Sequence, residues 1–387
     1  MTTKNENSWR RKLACAYFFV APALMYGVFT SRMPALKAQI AADAEQIGYL
    51  LLALGCSTLA GLLASGFLIS RFGSRLVTAI ACPWFILAMC CAASTSTWQA
   101  MSAFCILAGI GVGFCDVGMN ALGISLEKRT NTLCLAFLHG CSGVGGVVGS
   151  LSGSAFAAFE ISTFINLTVV LGLFLIAWPL AFNNVDQDYT EKAHISPTYG
   201  LRHIAAFVWF CGALSLLCHI VEGTAGEWGS LLLHSVKGAT EQQAALVFAF
   251  FTGALVLARF CTDPLRLRVS DFSIVFAGSI LGAVGMSVAL ISPWPMICLF
   301  GYAIMGAGVA PIVPILFSRA GATPGISAAQ ASSVVSVFSY AGLLLFPPLL
   351  GILAHHYGLT ATLWLITGLC ILMAICSFPL SKTRSQA

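Results

Sequence analysis

Apolar segments of about 20 residues recur along the whole chain and are separated by short polar or Gly/Pro-rich breaks. A helix of that length crosses the roughly 30 Å hydrocarbon core of a lipid bilayer. Hydrophobic residues make up 58% of the 387 residues, and charged residues only 9%. Because a soluble domain of this size cannot bury so much apolar surface, the sequence predicts an all-α, multi-pass membrane protein.

Twelve transmembrane segments are predicted, at residues 13–31, 46–69, 75–95, 98–125, 132–158, 161–182, 202–225, 240–259, 272–292, 294–318, 327–353 and 358–380. The longest polar interruption, residues 183–200, separates six segments from six. We therefore expect an N-terminal six-helix half over residues 1–182, a cytoplasmic linker over 183–200 and a C-terminal six-helix half over 201–387. Duplicated halves of this kind place a solute site near the membrane midplane between them.

Glycine patterns in the two halves resemble one another. The fourth segment contains Gly109-x-Gly111-x-Gly113, and the tenth contains Gly306-x-Gly308. Glycine on a helix surface lets a neighbouring backbone approach closely, so we expect a tight helix contact at the glycines of the fourth segment.

The distribution of lysine and arginine predicts the orientation of the chain. With a cytoplasmic N-terminus, 16 of the 19 basic residues, Arg259 among them, fall on the cytoplasmic side, and only Arg32, Lys37 and Lys237 fall outside. The asymmetry holds in both halves and predicts that both termini are cytoplasmic. Because the basic residues are scattered through short loops, the net charge of +5 does not indicate nucleic-acid binding.

Signatures of enzymes and metal sites are missing from the sequence. The 15 cysteines form no CxxC pair and no Cys/His ligand spacing, and most lie in apolar segments, so neither disulfides nor a metal site are expected. No Walker A loop or nucleophile elbow is present. We expect no cofactor and no catalytic activity.

One apolar segment, residues 107–127, carries a carboxylate in its middle, Asp116, and an amide four residues later, Asn120. The two share a helix face. An ionisable group at that depth costs roughly 2.5–3.5 kcal/mol on insertion scales, so it should face a cavity or a partner. Burial favours the protonated carboxyl form. Asp116 is therefore a candidate proton carrier and Asn120 a candidate solute ligand; the alternative is that both only stabilise the bundle.

Two further residues are candidates for moving protons. Glu222 lies near the extracellular end of the seventh segment, beside several glycines, and is either a gate or solute contact or a solvated helix end. His139 in the fifth segment can relay a proton to or from Asp116, or it is a neutral histidine bonded to a carbonyl.

Three residues are candidate solute contacts. Trp228 and Tyr26 are either aromatic anchors at the membrane interface or rings that stack on a sugar. Arg32 ends the first segment and either binds an anionic solute or lies at the interface.

Prolines predict irregular helices in the second half. Pro311 with Pro314, and the pair 347–348, should break or bend the tenth and eleventh segments.

The loop after the second segment, residues 66–75, reads GFLISRFGSR. It resembles the G-x-x-x-D-R-x-G-R-[KR] signature of the major facilitator superfamily, at the same place between the second and third helices. Ser70 stands where the signature has aspartate, and Ser74 stands where its first closing basic residue is found. The resemblance implies the twelve-helix fold of two six-helix halves, and it implies a gating role for Gly66, Arg71, Gly73 and Arg75.

A finer resemblance concerns the branch around the bacterial proton-coupled fucose permease. Relatives there carry an acid followed four residues later by asparagine, as Asp116 and Asn120 do, and a glutamate, five residues and a tryptophan, as Glu222 and Trp228 do. That permease has an essential acid in its first helix, whereas this chain has none there. The resemblance implies proton-coupled transport of a polar solute.

The leading hypothesis is a proton-coupled symporter of a small polar solute such as a sugar, working by alternating access in the bacterial inner membrane. The alternative is a proton-coupled exporter of metabolites or drugs; a membrane sensor that binds without transporting is a third class. The Gly-x-x-x-Gly-Pro signature of many drug antiporters is missing from the fifth segment, which argues against export. The expected partners are the solute, protons and the lipid bilayer, and the expected state is a monomer.

Overall fold

A computed structural model of the chain describes residues 2–42, 44–186, 204–239 and 241–382. These residues are almost entirely helical, and no strand occurs among them. The helices are α1 (Thr2–Ser31), α2 (Met33–Gln39), α3 (Ala44–Phe72), α4 (Ser74–Ala93), α5 (Trp98–Thr130), α6 (Leu135–Ala158), α7 (Thr163–Asn184), α8 (Ala206–Leu231), α9 (Glu241–Arg266), α10 (Asp271–Ile291), α11 (Pro295–Val309), α12 (Ile312–Gly321), α13 (Ala328–Tyr357), α14 (Leu359–Cys376) and α15 (Pro379–Lys382). A π-helical turn, Leu232–Val236, extends α8.

Within the described ranges, twelve stretches are long and apolar enough to cross a membrane. Helices α11 and α12 together supply the tenth of them, and α14 runs on into α15 to supply the twelfth. These stretches overlap the twelve predicted segments one for one, so the prediction of an all-α protein with twelve spans is confirmed. Most of the predicted linker, residues 187–200, lies outside the described residues.

The tenth span is interrupted where its prolines predict. α11 ends at Val309 and α12 begins at Ile312. In an unbroken helix the carbonyl of Ala310 would accept a bond from the residue four positions on, but Pro314 has no N–H to donate. The eleventh span differs, because α13 continues through residues 347–348 without interruption.

The first of two compact units comprises Met1–Cys134, Cys141–Ile204 and Pro324–Ser336. In it α5 packs against α3 and α4 through small residues. A Cβ placed on Gly109 or Gly113 would lie 2.5 Å from a backbone oxygen of α3, that of Leu54 or Thr58. Gly111 instead faces α4, where a Cβ would lie 3.1 Å from the backbone nitrogen of Phe85. The close approach predicted from this glycine pattern is confirmed.

The second unit comprises Leu135–Gly140, Ala205–Thr323 and Val337–Ala387. Its α11 uses the matching glycines in the same way. A Cβ on Gly306 would collide with the backbone oxygen of Phe251 in α9, and one on Gly308 would lie 2.5 Å from the oxygen of Gly278 in α10. The internal packing of this unit therefore repeats the packing of α5 in the first unit.

Candidate solute and proton site

Asp116 lies in α5, half-buried, and its Oδ2 accepts a hydrogen bond of 2.6 Å from Oγ of Ser336 in α13. Both residues belong to the first unit. The start of α13 makes two more contacts of this type. Ser332 Oγ donates to the carbonyl of Val117 at 2.8 Å, and Ser333 Oγ to the carbonyl of Leu62 at 3.5 Å. Asp116, the carboxylate that the sequence places in the middle of a span in the first half, therefore lies against the first turns of α13.

The serines of α13 were not among the predicted site residues. Ser332, Ser336 and Ser339 are spaced by four and three residues, so they share one helix face, and all three are buried. In the second unit, Oγ of Ser339 lies 2.6 Å from Oγ of Ser215. The sequence signal was present in SSVVSVFS, a polar stripe at helical spacing in an apolar span.

Asn120 is fully buried, and its Nδ2 donates to the backbone carbonyl of Asp116 at 2.9 Å, one helical turn earlier. This geometry favours the structural alternative, in which the amide is satisfied inside the bundle. Its role as a solute ligand remains a prediction.

Glu222 and Arg259 form an ion pair inside the second unit. Nη2 of Arg259 in α9 lies 3.3 Å from Oε1 of Glu222 in α8. The sequence predicted that the eighth span ends at residue 259 and counted Arg259 as cytoplasmic. The predicted end at residue 259 was wrong, because α9 continues to Arg266, about 10 Å further along the helix axis. The side of the membrane on which Arg259 lies stays a prediction. The carboxylate of Glu222 offsets the charge of Arg259, and this allows the arginine to lie within the span.

The break in the tenth span supplies another partner for Arg259. Its Nε donates to the carbonyl of Ala310 at 3.3 Å, and this is the carbonyl that Pro314 leaves without a helical donor. Sγ of Cys218 lies 3.8 Å from both Glu222 Oε1 and the carbonyl of Val309. The ion pair is therefore tied to the buried backbone carbonyls at the break in the tenth span.

Two histidines lie beside this pair. His139, half-buried near the start of α6, has its ring centroid 5.7 Å from that of Phe317, and it is within electrostatic range of Arg259 and His219. Nδ1 of His219 lies 3.0 Å from the carbonyl oxygen of Ser215. Two predicted proton residues, His139 and Glu222, are thus brought together in the second unit, whereas Asp116 belongs to the first.

Arg32 is 7% exposed and is bound to backbone carbonyls. Its Nη1 donates to the oxygen of Gly153 at 3.2 Å and its Nη2 to the oxygen of Ile161 at 2.7 Å. The guanidinium therefore joins the end of α1 to the connection between α6 and α7. This favours a structural role over anion binding.

The two aromatic candidates lie in different surroundings. Tyr26 of α1 is 47% exposed. Trp228 of α8 is half-buried beside Gly351 of α13, and its Nε1 is enclosed without a hydrogen-bond partner among the described residues. An interfacial anchor presents its indole N–H to water or headgroups, so the enclosed Nε1 disfavours that role for Trp228.

The predicted gating residues surround the turn from α3 to α4. Gly73 has φ +83° and joins the two helices, and Gly66 packs near Ser333 of α13. Arg75 donates from Nη2 to the carbonyl of Phe182 at 2.9 Å and covers its ring, whereas the side chain of Arg71 is exposed.

The position that is aspartate in the signature has a local role here. Oγ of Ser70 donates back to the carbonyl of Phe67 in its own helix at 2.7 Å.

A carboxylate in α9 also contacts the start of α6. Oδ2 of Asp263 accepts from the backbone N–H of Phe137 at 2.9 Å. Just before the helix, Oε1 of Glu127 accepts from the N–H of Cys134 at 2.8 Å. Carboxylates are stabilising at helix N-termini, whose first N–H groups have no partner within the helix. Sequence reasoning missed both roles.

Twelve apolar spans among the described residues, with a carboxylate and an ion pair inside them, indicate a multi-pass membrane protein of the transporter type. The sequence matches the family model of the Major Facilitator Superfamily over residues 13–325, and the chain belongs to that superfamily. It is accordingly a transporter and not an enzyme.

Relatives of similar length are found in bacteria. The chain is 27% identical to an uncharacterised MFS-type transporter of Yersinia pestis, over 89% of this chain and 88% of the relative. It is 27% identical to the membrane protein MosC of Rhizobium meliloti, over 96% and 90%.

Solved structures share the fold at low sequence identity. FucP, a Major Facilitator Superfamily transporter in the outward conformation, superimposes with a TM-score of 0.79 at 15% identity, covering 96% of this chain and 99% of that one. The proton:xylose symporter XylE gives 0.74 at 13% identity, covering 97% and 96%. The human organic anion transporter MFSD10 gives 0.76 at 13% identity, covering 96% and 99%.

Proposed function

We propose that the protein is a proton-coupled symporter of a small polar solute such as a sugar, working by alternating access. We place it in the bacterial inner membrane as a monomer with both termini cytoplasmic. The observation that carries the proposal is the hydrogen bond from Ser336 to Asp116. It joins an ionisable group in one span to the start of another, so a change in protonation acts directly on a helix contact.

The energetics give this contact a switching role. A hydrogen bond to a charged group contributes about 1.5–3 kcal/mol, and one between neutral groups about 0.5–1.5 kcal/mol. Protonation of Asp116 therefore weakens the hydrogen bond between Ser336 and Asp116 by about 1 kcal/mol or more. A difference of that size shifts a two-state equilibrium about fivefold or more, which is enough to bias one conformation over the other.

Solved structures with the same fold support the proposal. One solved neighbour carries the description Fucose:proton symporter, and another proton:xylose symporter. Bacterial relatives support the inner membrane. Of the predicted solute contacts, Tyr26 has the most exposed side chain, and His139 and Glu222 remain further candidates for moving the proton.

The test is solute-induced pH change with purified protein in liposomes, across sugars, nucleosides and small acids. Wild type, Asp116→Asn and the matched control Glu160→Gln, at an exposed carboxylate after α6, are measured together. We expect one solute to carry protons inward with wild type and the control, and not with Asp116→Asn.

The remaining outcomes decide between the alternatives. Equal proton movement by Asp116→Asn assigns that residue a structural role and refutes the coupling proposed here. Solute accumulation in exchange for protons supports the exporter instead. Binding without any movement of solute supports the sensor.

A further inference from the structure

Arg259 uses only part of its hydrogen-bonding capacity. A guanidinium has five N–H donors. Nε donates to Ala310 and Nη2 to Glu222, while Nη1 has no partner among the described residues and is not enclosed. Oε2 of Glu222 is likewise neither enclosed nor bonded within the described part of the chain. The pair, whose side chains are 11% and 18% exposed, therefore has one unused donor and one unused acceptor inside a span.

The contact between the two residues is also incomplete as an ion pair. Arginine and carboxylate groups frequently pair through two parallel hydrogen bonds, but Glu222 reaches Arg259 through one oxygen and one nitrogen at 3.3 Å. The edge formed by Nη1 and Nη2 therefore becomes available to another carboxylate once Glu222 leaves Nη2. Nε is meanwhile held by the Ala310 carbonyl, which fixes the plane of the guanidinium.

We propose that Arg259 binds a carboxylate group of the transported solute, and that Glu222 occupies the guanidinium when the solute is absent. The inference rests on the proposed function and narrows its solute to a small monocarboxylic acid. Arg259 was not among the residues that the sequence assigned to a site, because its charge placed it at the end of a span.

Charge balance within the span explains why such a solute enters with a proton. The empty site holds one negative and one positive charge, on Glu222 and Arg259. A solute anion would leave an uncompensated charge in a low-dielectric region, which is costly. When one proton moves onto Glu222, the carboxylate leaves Arg259, the solute takes its place, and the net charge is unchanged. Asp116, through its bond to Ser336, then governs the conformational change that carries the solute and proton across, so both carboxylates are needed for coupled movement. The other titratable groups beside the pair are Cys218 and His219 of α8 and His139 of α6, and Cys370 of α14 lies next to Cys218.

The experiment measures binding to the purified full-length protein in detergent, by calorimetry in two buffers of different ionisation enthalpy. The probes are lactate, gluconate and glucuronate, each beside its neutral amide: lactamide, gluconamide and glucuronamide. We expect an acid to bind more tightly than its amide, with uptake of one proton. Glu222→Gln should bind that acid more tightly than wild type and without proton uptake, while the control Glu160→Gln matches wild type. Arg259→Lys keeps the positive charge but lacks the two parallel N–H donors of a guanidinium. It should bind the acids about tenfold more weakly or worse.

Three results would overturn the assignment: amides that bind as tightly as the acids, no gain for any acid in Glu222→Gln, or unchanged acid binding by Arg259→Lys. If Arg259→Lys does not fold, as judged by gel filtration, the comparison of Glu222→Gln with Glu160→Gln decides alone.

Failure of the proposed function gives a different result from failure of the Arg259 assignment. Acids that bind in this way while Asp116→Asn still moves protons would refute the coupling and leave the Arg259 site standing. If a neutral sugar moves protons through Asp116 and no acid binds, the coupling stands and the Arg259 site is refuted.

Discussion

The carboxylate of Asp263, near the end of α9, accepts a hydrogen bond from the backbone N–H of Phe137 in the first turn of α6. That turn has no side-chain cap of its own, since Cys134 at the N-cap makes none. Asp263, which is distant in sequence, thus accepts the backbone hydrogen bond that an N-cap Ser or Asp commonly accepts. The first six residues of α6, Leu135–Gly140, belong to the same compact unit as Asp263.

Substitution Asp263→Asn should loosen the start of α6. The amide can still accept the bond but loses the charge, and we expect a cost of about 0.5–1 kcal/mol. Amide hydrogen exchange at residues 135–138 should become faster, by about two- to fivefold. The exposed control Glu160→Gln should leave it unchanged. Unaltered exchange in Asp263→Asn would show that the carboxylate does not stabilise this turn.

Ser336→Ala should impair transport through the loss of one hydroxyl. The bond that Ser336 donates to a charged Asp116 contributes about 1.5–3 kcal/mol, so its loss shifts the conformational equilibrium by roughly 10- to 100-fold. Ser336→Thr retains a hydroxyl and should restore part of the rate. The measurement is solute-driven proton influx in liposomes. If Ser336→Ala lowers stability but transports as fast as wild type, the hydroxyl only supports helix packing.

The packing of α5 on α3 gives a prediction about stability. A Cβ on Gly113 would lie 2.5 Å from the backbone oxygen of Thr58, and backbone cannot move aside as a side chain can. Gly113→Ala should therefore destabilise the protein by about 1–3 kcal/mol. Gly172 of α7 is the matched control, since a Cβ there meets nothing within 4 Å. Thermal unfolding in detergent should show a lower midpoint for the first variant only, and equal midpoints would refute the close contact.

Helix positions were predictable because hydrophobic length is a local property of the sequence. The twelve spans, the interruption at Pro311 and the glycine contacts of Gly109 and Gly113 all follow from residues within one or two turns. The position of an individual charged residue within or beyond a span was harder to predict. Arg259 resembled the cytoplasmic end of a span until its partner, 37 residues earlier in α8, was placed beside it.

Long-range partners account for most of what the sequence missed. Ser336 and Asp116 are separated by 220 residues, and Asp263 and Phe137 by 126. Nothing local in a serine stripe or a terminal aspartate indicates which helix it will meet, because that depends on how the spans pack. The depth of Asp116 was nevertheless a usable signal, since the cost of an ionisable group in lipid predicts a partner without naming it.

Arg32 provides a last prediction, because its structure and its sequence pattern suggest different roles. An arginine at the end of a span is suited to an anionic solute, but here two of its nitrogens bind the carbonyls of Gly153 and Ile161. Arg32→Gln cannot reach both oxygens, and the loss should cost about 1–3 kcal/mol. The exposed Lys37→Gln removes an equal charge from α2 and serves as the control. We expect a lower unfolding midpoint for Arg32→Gln alone; unchanged stability together with lost solute binding would return Arg32 to the solute site.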